Sequence, residues 1–257
     1  MPQRKLNVKL LQYTPSPEET IALGGRLCYS GSDISSLHDK SKGTADKFVQ
    51  KLLDLGHYSP IEHASFTFGA EGVSRALLAQ ITRHRIASFS VQSQRYVEQK
   101  EMNYIIPKSV IEKGDESVAE FKKQMQTIHE WYNKWLEAGL PAEDARFVLP
   151  NAAETRMVFT MNARELIHFF ELRCCDRAQW EIRALAWAML GMARREAPAL
   201  FERVGGPSCV SRGRCSEGKM SCGKAEKMQE LSNMLTEITK NGASDEEILR
   251  FVEENIH

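Results

Sequence analysis

The chain has 257 residues, enough to bury one substantial core or a core with an appendage. With 42% hydrophobic and 26% charged residues it has a globular composition, and no stretch approaches the roughly 18 consecutive apolar residues of a membrane span. Its 34 basic and 34 acidic residues cancel, which argues against the overall basic excess of a dedicated nucleic-acid binder and leaves any anion site to a local cluster.

The opening residues, Met1 to Asn7, lack the apolar core of a signal peptide, so a cytoplasmic protein with no membrane partner is expected. Residues 7–13 read as a short strand that Pro15 and Pro17 end, and Pro17 suits the first turn of a helix running to about Cys28. Residues 31–43, rich in Ser, Gly and Asp, read as a loop. A helix is expected from Thr44 to Leu55, with Gly56 at its stop, and a strand from Ala64 to Gly69. Ser74 to Arg85 reads as a helix with Leu77, Leu78 and Ile81 on one face, and Ile86 to Val97 as an irregular loop leading into a strand. Asp115 to Glu137 is a long amphipathic helix closed by Gly139 and Pro141. A strand follows at Arg156 to Met161, then a helix from Asn162 to Arg173 whose entry, Asn162-Ala163-Arg164-Glu165, resembles a capping box. The helix from about Arg177 to Arg195 carries Ile182, Leu185, Ala186, Met189 and Leu190 at helical spacing, and Pro198 ends it or starts a new turn. From Gly205 to Gly223 the composition shifts to Gly, Ser, Cys and basic residues, before helical stretches at 224–240 and 244–254. We therefore divide the chain into a catalytic domain, residues 1–205, and a Cys/Gly-rich segment with a short helical tail, residues 206–257.

Arg83-His84-Arg85 is the sharpest local feature. Three adjacent groups that are or can become cationic must be solvated or must face anions, and guanidinium groups pair well with phosphates. Taken alone, the cluster also suits a basic helix end. His57, Glu62 and His63 are metal-ligand types, but their spacing fits no helical metal motif and Pro60 interrupts them, so no metal is expected. The six cysteines, Cys28, Cys174, Cys175, Cys209, Cys215 and Cys222, are expected as thiols or metal ligands rather than disulfides; the last three lack the C-x2-C pairs of a zinc ribbon and are expected as free thiols.

The run from Arg83 through Ser88 to Ser93, Arg95 and Tyr96 resembles the signature of the flavin-dependent thymidylate synthases. The segments Gly56–Phe66, Ala145–Pro150, Asn162–Arg173 and Ala178–Arg183 resemble further blocks of that family, in order along the chain. The resemblance implies an α+β fold with an antiparallel-rich central sheet flanked by helices, assembled as a homotetramer with active sites between subunits. It implies an FAD enzyme that methylates dUMP to dTMP, with 5,10-methylenetetrahydrofolate as carbon donor and NADPH as reductant. By the same resemblance FAD falls to Ser59, Arg83, His84, Arg85, Asn162, Ala163, Arg164 and His168, and dUMP to Gln80, Ile81, Thr82, Arg83, Gln92, Ser93, Gln94, Arg95, Arg146 and Arg173. Val91 departs from the family, which often has Glu there, as Ser90 departs from Asn. Only backbone contacts to FAD or dUMP are open to Val91. Arg173, His57 and Ser93 are placed at the chemistry: Arg173 to stabilise charge on the uracil ring, His57 at the flavin and folate pocket, Ser93 to position dUMP. A covalent role for Ser93 is not expected, because Gln92, Gln94 and Arg95 cannot act as its base.

At about 100° per residue, Arg173 shares a helix face with Asn162, Leu166 and Phe169, while Arg164 and His168 lie nearly opposite. One helix would then serve two ligands, flavin on one side and dUMP on the other. Two other function classes use the same residues. A single-stranded nucleic-acid module would combine Arg83–Arg85 with Phe89 and Tyr96, and salt-dependent binding would reveal it. An NADPH-oxidising flavoprotein with no nucleotide substrate would be indifferent to dUMP.

Overall fold

The computed structural model describes residues 4–256. Strand β1 (Asn7–Tyr13) leads to α1 (Pro17–Leu27), where proline occupies the first turn as expected. The stretch read as a loop holds a helix, α2 (Ile34–Ser41). Asp33 caps it by accepting from the Ser36 N–H at 2.9 Å, and Leu37 buries one apolar side chain in an otherwise polar sequence. Helix α3 (Ala45–Asp54) stops before Gly56, which sits at φ 71°.

Strand β2 (Ser65–Ser74) runs five residues beyond the expected end. Gly72 lets it do so: at φ 67° a side chain is strained, and a Cβ there would lie 1.8 Å from the Lys5 carbonyl. Helix α4 (Arg75–Ile81) is shorter than expected. The Thr82 hydroxyl donates to the Leu78 carbonyl at 2.8 Å at its end, and the chain turns through Thr82 and Arg83. It then enters β3 (Ala87–Val91) directly, where a loop was expected first. A short α5 (Lys108–Ile111), the long α6 (Asp115–Glu137) and a short α7 (Ala142–Ala145) precede β4 (Glu154–Asn162). Then follow α8 (Ala163–Arg173), α9 (Trp180–Glu196), α10 (Pro198–Val204), the single turn α11 (Ser208–Ser211), α12 (Ala225–Lys240) and α13 (Asp245–Asn255). Pro198 thus starts a new helix, and Gln179, accepting from the N–H groups of Glu181 and Ile182, sets the start of α9.

The four strands form one antiparallel sheet in the order β1-β2-β4-β3, the mixed α+β class expected. The chain divides into two compact units. Among the described residues, one comprises 4–7, 70–83 and 89–158, the other 8–69, 84–88 and 159–256. In the first, Met102, Tyr104, Ile106, Met125 and Ala153 form a buried cluster that Phe121 and Ile128 of α6 pack against. The buried Glu154 carboxylate accepts from the Gly72 N–H and the Asn103 amide, which stitches β2 and β4 to the segment before α5. In the second, Phe66, Phe169, Phe170 and Phe201 meet in a chain of edge contacts, and α9 is buried along nearly its whole length. Among the described residues no helix is long and apolar enough to cross a membrane.

Candidate active site

In the second unit, α8 is the platform. Asn162 caps it, its Oδ1 accepting from the Glu165 N–H at 2.9 Å. Only this half of the expected capping box forms, because the Glu165 side chain is engaged elsewhere. Ala163 is buried, and its N–H donates to the Ala64 carbonyl at 2.8 Å, which fixes the helix start beside the Ser59–His63 turn. Glu165, Phe169 and Arg173 follow one another at four-residue spacing, and His84 lies along that stripe. Its Nδ1 is 2.8 Å from Glu165 Oε1, its ring meets Phe169 edge-on at 5.0 Å, and Arg173 Nε donates to His84 Nε2 at 3.1 Å. An acceptor on one side and a donor on the other assign the neutral tautomer with the proton on Nδ1. Burial lowers the His84 pKa first of all, the positive charges of Arg173 and His168 add to that, and Glu165 opposes it.

The neighbouring stripe of α8, Arg164 and His168, is exposed. Arg164 pairs with Glu62, and the His168 ring lies 5.9 Å from that of His84. Arg164 also borders a cleft of about 340 Å³ shared with Cys28, Tyr29, Gly56, His57, Tyr58 and Ser59. The Tyr29 hydroxyl lies 3.1 Å from His57 Nδ1 and the two rings stack at 6.1 Å. His57, Glu62 and His63, the three metal-ligand types, go different ways: to Tyr29, to Arg164, and against Gly24, where the His63 ring leaves no room for a Cβ. Arg85 is exposed.

In the first unit, Gln80 is half-buried near the end of α4, the Ile81 side chain is fully buried, and Thr82 and Arg83 are exposed in the turn that follows. Val91 ends β3. The Gln92 N–H then donates to the Arg156 carbonyl, and Ser93 Oγ accepts from the Arg95 N–H at 3.2 Å in a tight turn. Gln94 is buried, and its Nε2 has no hydrogen-bond partner among the described residues. Glu143 gathers two cations: its carboxylate accepts from Arg95 at 2.8 Å and its carbonyl from Arg146 at 3.1 Å. Arg75 lies within reach of Arg146; burial and then the Arg146 charge lower its pKa. A group of arginines held this close favours an anion beside it.

The family model described as thymidylate synthase complementing protein matches residues 9–199. A flavin-dependent thymidylate synthase of Geobacter sulfurreducens is 51% identical over 229 residues, covering 88% of this chain and 97% of its own. One from Clostridium tetani is 47% identical over 243 residues, covering 88% and 96%. The chain belongs to the flavin-dependent thymidylate synthase family. Membership makes it an enzyme. The fold is also similar to a crystal structure of a UMP/dUMP methylase PolB from Streptomyces cacaoi bound with 5-Br dUMP. The TM-score is 0.67 at 24% identity, over 77% of this chain and 94% of that one.

Within this synthase-family chain, His57, Ser59 and Arg164 come together on one cleft, and His84, His168 and Arg173 on the neighbouring stripes of α8. Arg95 and Arg146 meet at Glu143. Three residues escaped the sequence reading. Glu165 was read as half of a cap, although its place four residues before Phe169 and eight before Arg173 put it on the Arg173 stripe. Arg75 carries no local signal beyond its place in the first turn of a helix. Tyr29 sits in an undistinguished stretch after α1.

Proposed function

We propose that the protein converts dUMP to dTMP, with FAD as its cofactor, 5,10-methylenetetrahydrofolate as carbon donor and NADPH as reductant. The observation that carries this reading is the meeting of the His57–Ser59 segment with Arg164, far downstream in sequence, on one cleft beside stacked Tyr29 and His57. The donor set fits a flavin nucleotide: flat rings for stacking, and the guanidinium groups of Arg83, Arg85 and Arg164 for a pyrophosphate. Asn162 and Ala163 at the start of α8 and His84 and His168 further along it join this set, and Val91 contributes backbone alone. When bound, FAD supplies the hydride-transfer chemistry.

The chain's own residues do the rest. Gln80, Ile81, Thr82, Arg83, Gln92, Ser93, Gln94, Arg95 and Arg146 bind dUMP, the last two through the arginine group that includes Arg75. The unpartnered Gln94 amide supports a donor reserved for a ligand. Arg173, oriented by neutral His84, stabilises negative charge developing on the uracil ring. Ser93 orients dUMP by hydrogen bonding. Folate suits the hollow of about 570 Å³ that also borders Tyr29 and His57, where Lys40 and Lys51 offer cations to its carboxylates and Phe48 and Leu52 offer apolar contact. Residues 1–205 carry these groups, and residues 206–257 form an attached tail. The active enzyme is a cytoplasmic homotetramer with sites between subunits and takes no nucleic acid as partner.

The experiment is an absorption spectrum of the purified protein, followed by assay of dTMP from dUMP, methylenetetrahydrofolate and NADPH. A flavin spectrum and dTMP dependent on all three substrates are expected. A protein that neither carries nor binds FAD overturns the reading. NADPH oxidation indifferent to dUMP would replace it with a flavoprotein lacking a nucleotide substrate.

A further inference from the structure

Residues 209–227 contribute no buried side chain, and their only regular structure is the turn of α11, a short turn at Gly218–Met220 and the start of α12. A segment with no core of its own is held by polar contacts or by covalent staples. Here three sets of hydrogen bonds gather four cysteines. Ser208 Oγ accepts from the Ser216 N–H at 3.1 Å and lies 3.0 Å from the Ser216 hydroxyl, which closes the chain around Cys209 and Cys215. Arg177 donates to the Met220 carbonyl at 2.9 Å and Lys224 to the Asp176 carboxylate at 2.8 Å, so both flanks of Cys222 are tied to the residues next to Cys175. Ser211 and Arg212 both bond the buried Glu171 carboxylate, which holds α11 at the end of α8.

We propose that Cys175–Cys222 and Cys209–Cys215 are two thiol pairs that close to disulfides, stapling residues 208–223 to the loop behind Arg173. With a peroxide as oxidant, one thiolate attacks the peroxide oxygen, hydroxide leaves, and a sulfenic acid forms. The second thiolate of the pair displaces water from that sulfur. Two S–H bonds are exchanged for one S–S bond, two electrons pass to each peroxide, and two waters leave.

The thiols lie near enough to act on one another's charge. Burial raises the Cys175 pKa, and the nearby Cys222, Cys215 and Glu217 raise it further; Cys209 is raised by burial and by Cys175, Cys215 and Cys222. Both thiols are therefore largely protonated at neutral pH, which makes closure slow and dependent on added oxidant. All four are partly accessible and none is bonded in this structure. Among the described residues no three His, Cys, Asp or Glu side chains stand in an arrangement that would hold a metal, which favours pairwise chemistry. Cys174 takes no part: it is fully buried, and burial raises its thiol pKa far.

The test uses the full-length protein, kept under a phosphine reductant or exposed to hydrogen peroxide, then alkylated, digested and mapped by mass spectrometry. Trypsin separates the pairs, because Arg212 and Arg214 lie between Cys209 and Cys215. Oxidised protein should show crosslinks 175–222 and 209–215, each lighter by two hydrogens and reversed by reductant, with a melting temperature several degrees higher. Cys28, which is exposed, should alkylate in both states. Cys222→Ser should abolish only the first crosslink, and Cys215→Ser only the second. Predominant crosslinks between other partners, or thiols that stay alkylatable after oxidation, overturn the proposal. So does stoichiometric zinc in the reduced protein that Cys175→Ser removes, which would make the cluster a metal site.

Discussion

His84 can satisfy Glu165 and Arg173 together only as a neutral ring, and that has a pH signature. Burial puts its pKa below the ordinary 6.5, so on acidification the unfolded chain takes up this proton before the folded one. The stabilisation is complete above pH 6.5 and is lost as pH falls through the lower folded value. Protonation also ends the Arg173 contact, because Nε2 no longer accepts. Turnover should therefore fall on the acid side with the titration of His84. Glu165→Gln removes the charge that favours the imidazolium, so it should move this acid limb to lower pH. It should also reduce kcat by roughly 5–10-fold, the difference between a charge-assisted and a neutral hydrogen bond to an orienting group. An unmoved limb in a pH–rate profile would show that Glu165 acts on Arg173 by some other route. Gln94 gives a second test. Its buried Nε2 has no partner among the described residues, so Gln94→Met should leave the melting temperature unchanged or raise it, while raising KM for dUMP by roughly 10-fold. A drop in stability with unchanged KM would make Gln94 purely structural.

At the scale of elements, α8 was legible because three signals agree: Asn162 as a cap, a helical apolar spacing, and basic residues at chosen positions. The division of the helix into two stripes also follows from the residue angles alone. What could not be read was the partner across space. His84 joins α8 from another segment, and its neighbours Arg83 and Arg85 drew attention to charge, whereas His84 itself is buried and neutral. The same limit explains α4. The helix is expected to reach Arg85, but its apolar face ends at Ile81, and after Thr82, whose N–H and hydroxyl both donate to the Leu78 carbonyl, the chain turns toward β3. Helix α2 was missed because its stretch is mostly polar: buried Leu37, the Asp33 cap, and Arg26, which donates to the Lys40 carbonyl and the Ser41 hydroxyl, hold it. For α8 the cap can be weighed. Asn162→Ala should lower stability by about 1 kcal/mol, as loss of an N-cap generally does, and Asn162→Ser or Asn162→Asp should restore most of it. Chemical denaturation measures this. If Asn162 also contacts FAD, the serine variant will regain stability without regaining flavin affinity, which separates the two roles.

At the scale of the chain, composition suggested a tail appended after residue 205, and the hydrogen bonds show how firmly that tail is joined to α9. Arg194, on α9 and 1% exposed, donates to the carbonyls of Phe201, Gly205 and Ser232 and to the hydroxyls of Ser232 and Thr236. Burial lowers its pKa to about 10, which still leaves it charged at neutral pH. Beside it, Gly191 gives α12 and α13 their close approach, for a Cβ there would meet Ile248 at 2.8 Å and Leu235 at 3.1 Å. Sequence spacing alone marks Arg194 as an ordinary cation in the last turn of a helix; its burial depends on Phe201 and Gly205 after α9 and on Ser232 and Thr236 in α12. Arg194→Met keeps the apolar stem but takes a buried donor away from three carbonyls and two hydroxyls, so we expect a loss of about 3–5 kcal/mol. Arg194→Lys retains the charge with fewer donors and should lose less. Because the damage lies where α12 leaves α9, hydrogen exchange should accelerate first in 225–255 and along α9, with the melting temperature falling in step. A chain cut after residue 205 should show the same α9 exposure in more severe form. If that fragment instead melts like the full chain, residues 206–257 are an independent appendage and Arg194 is not what joins them.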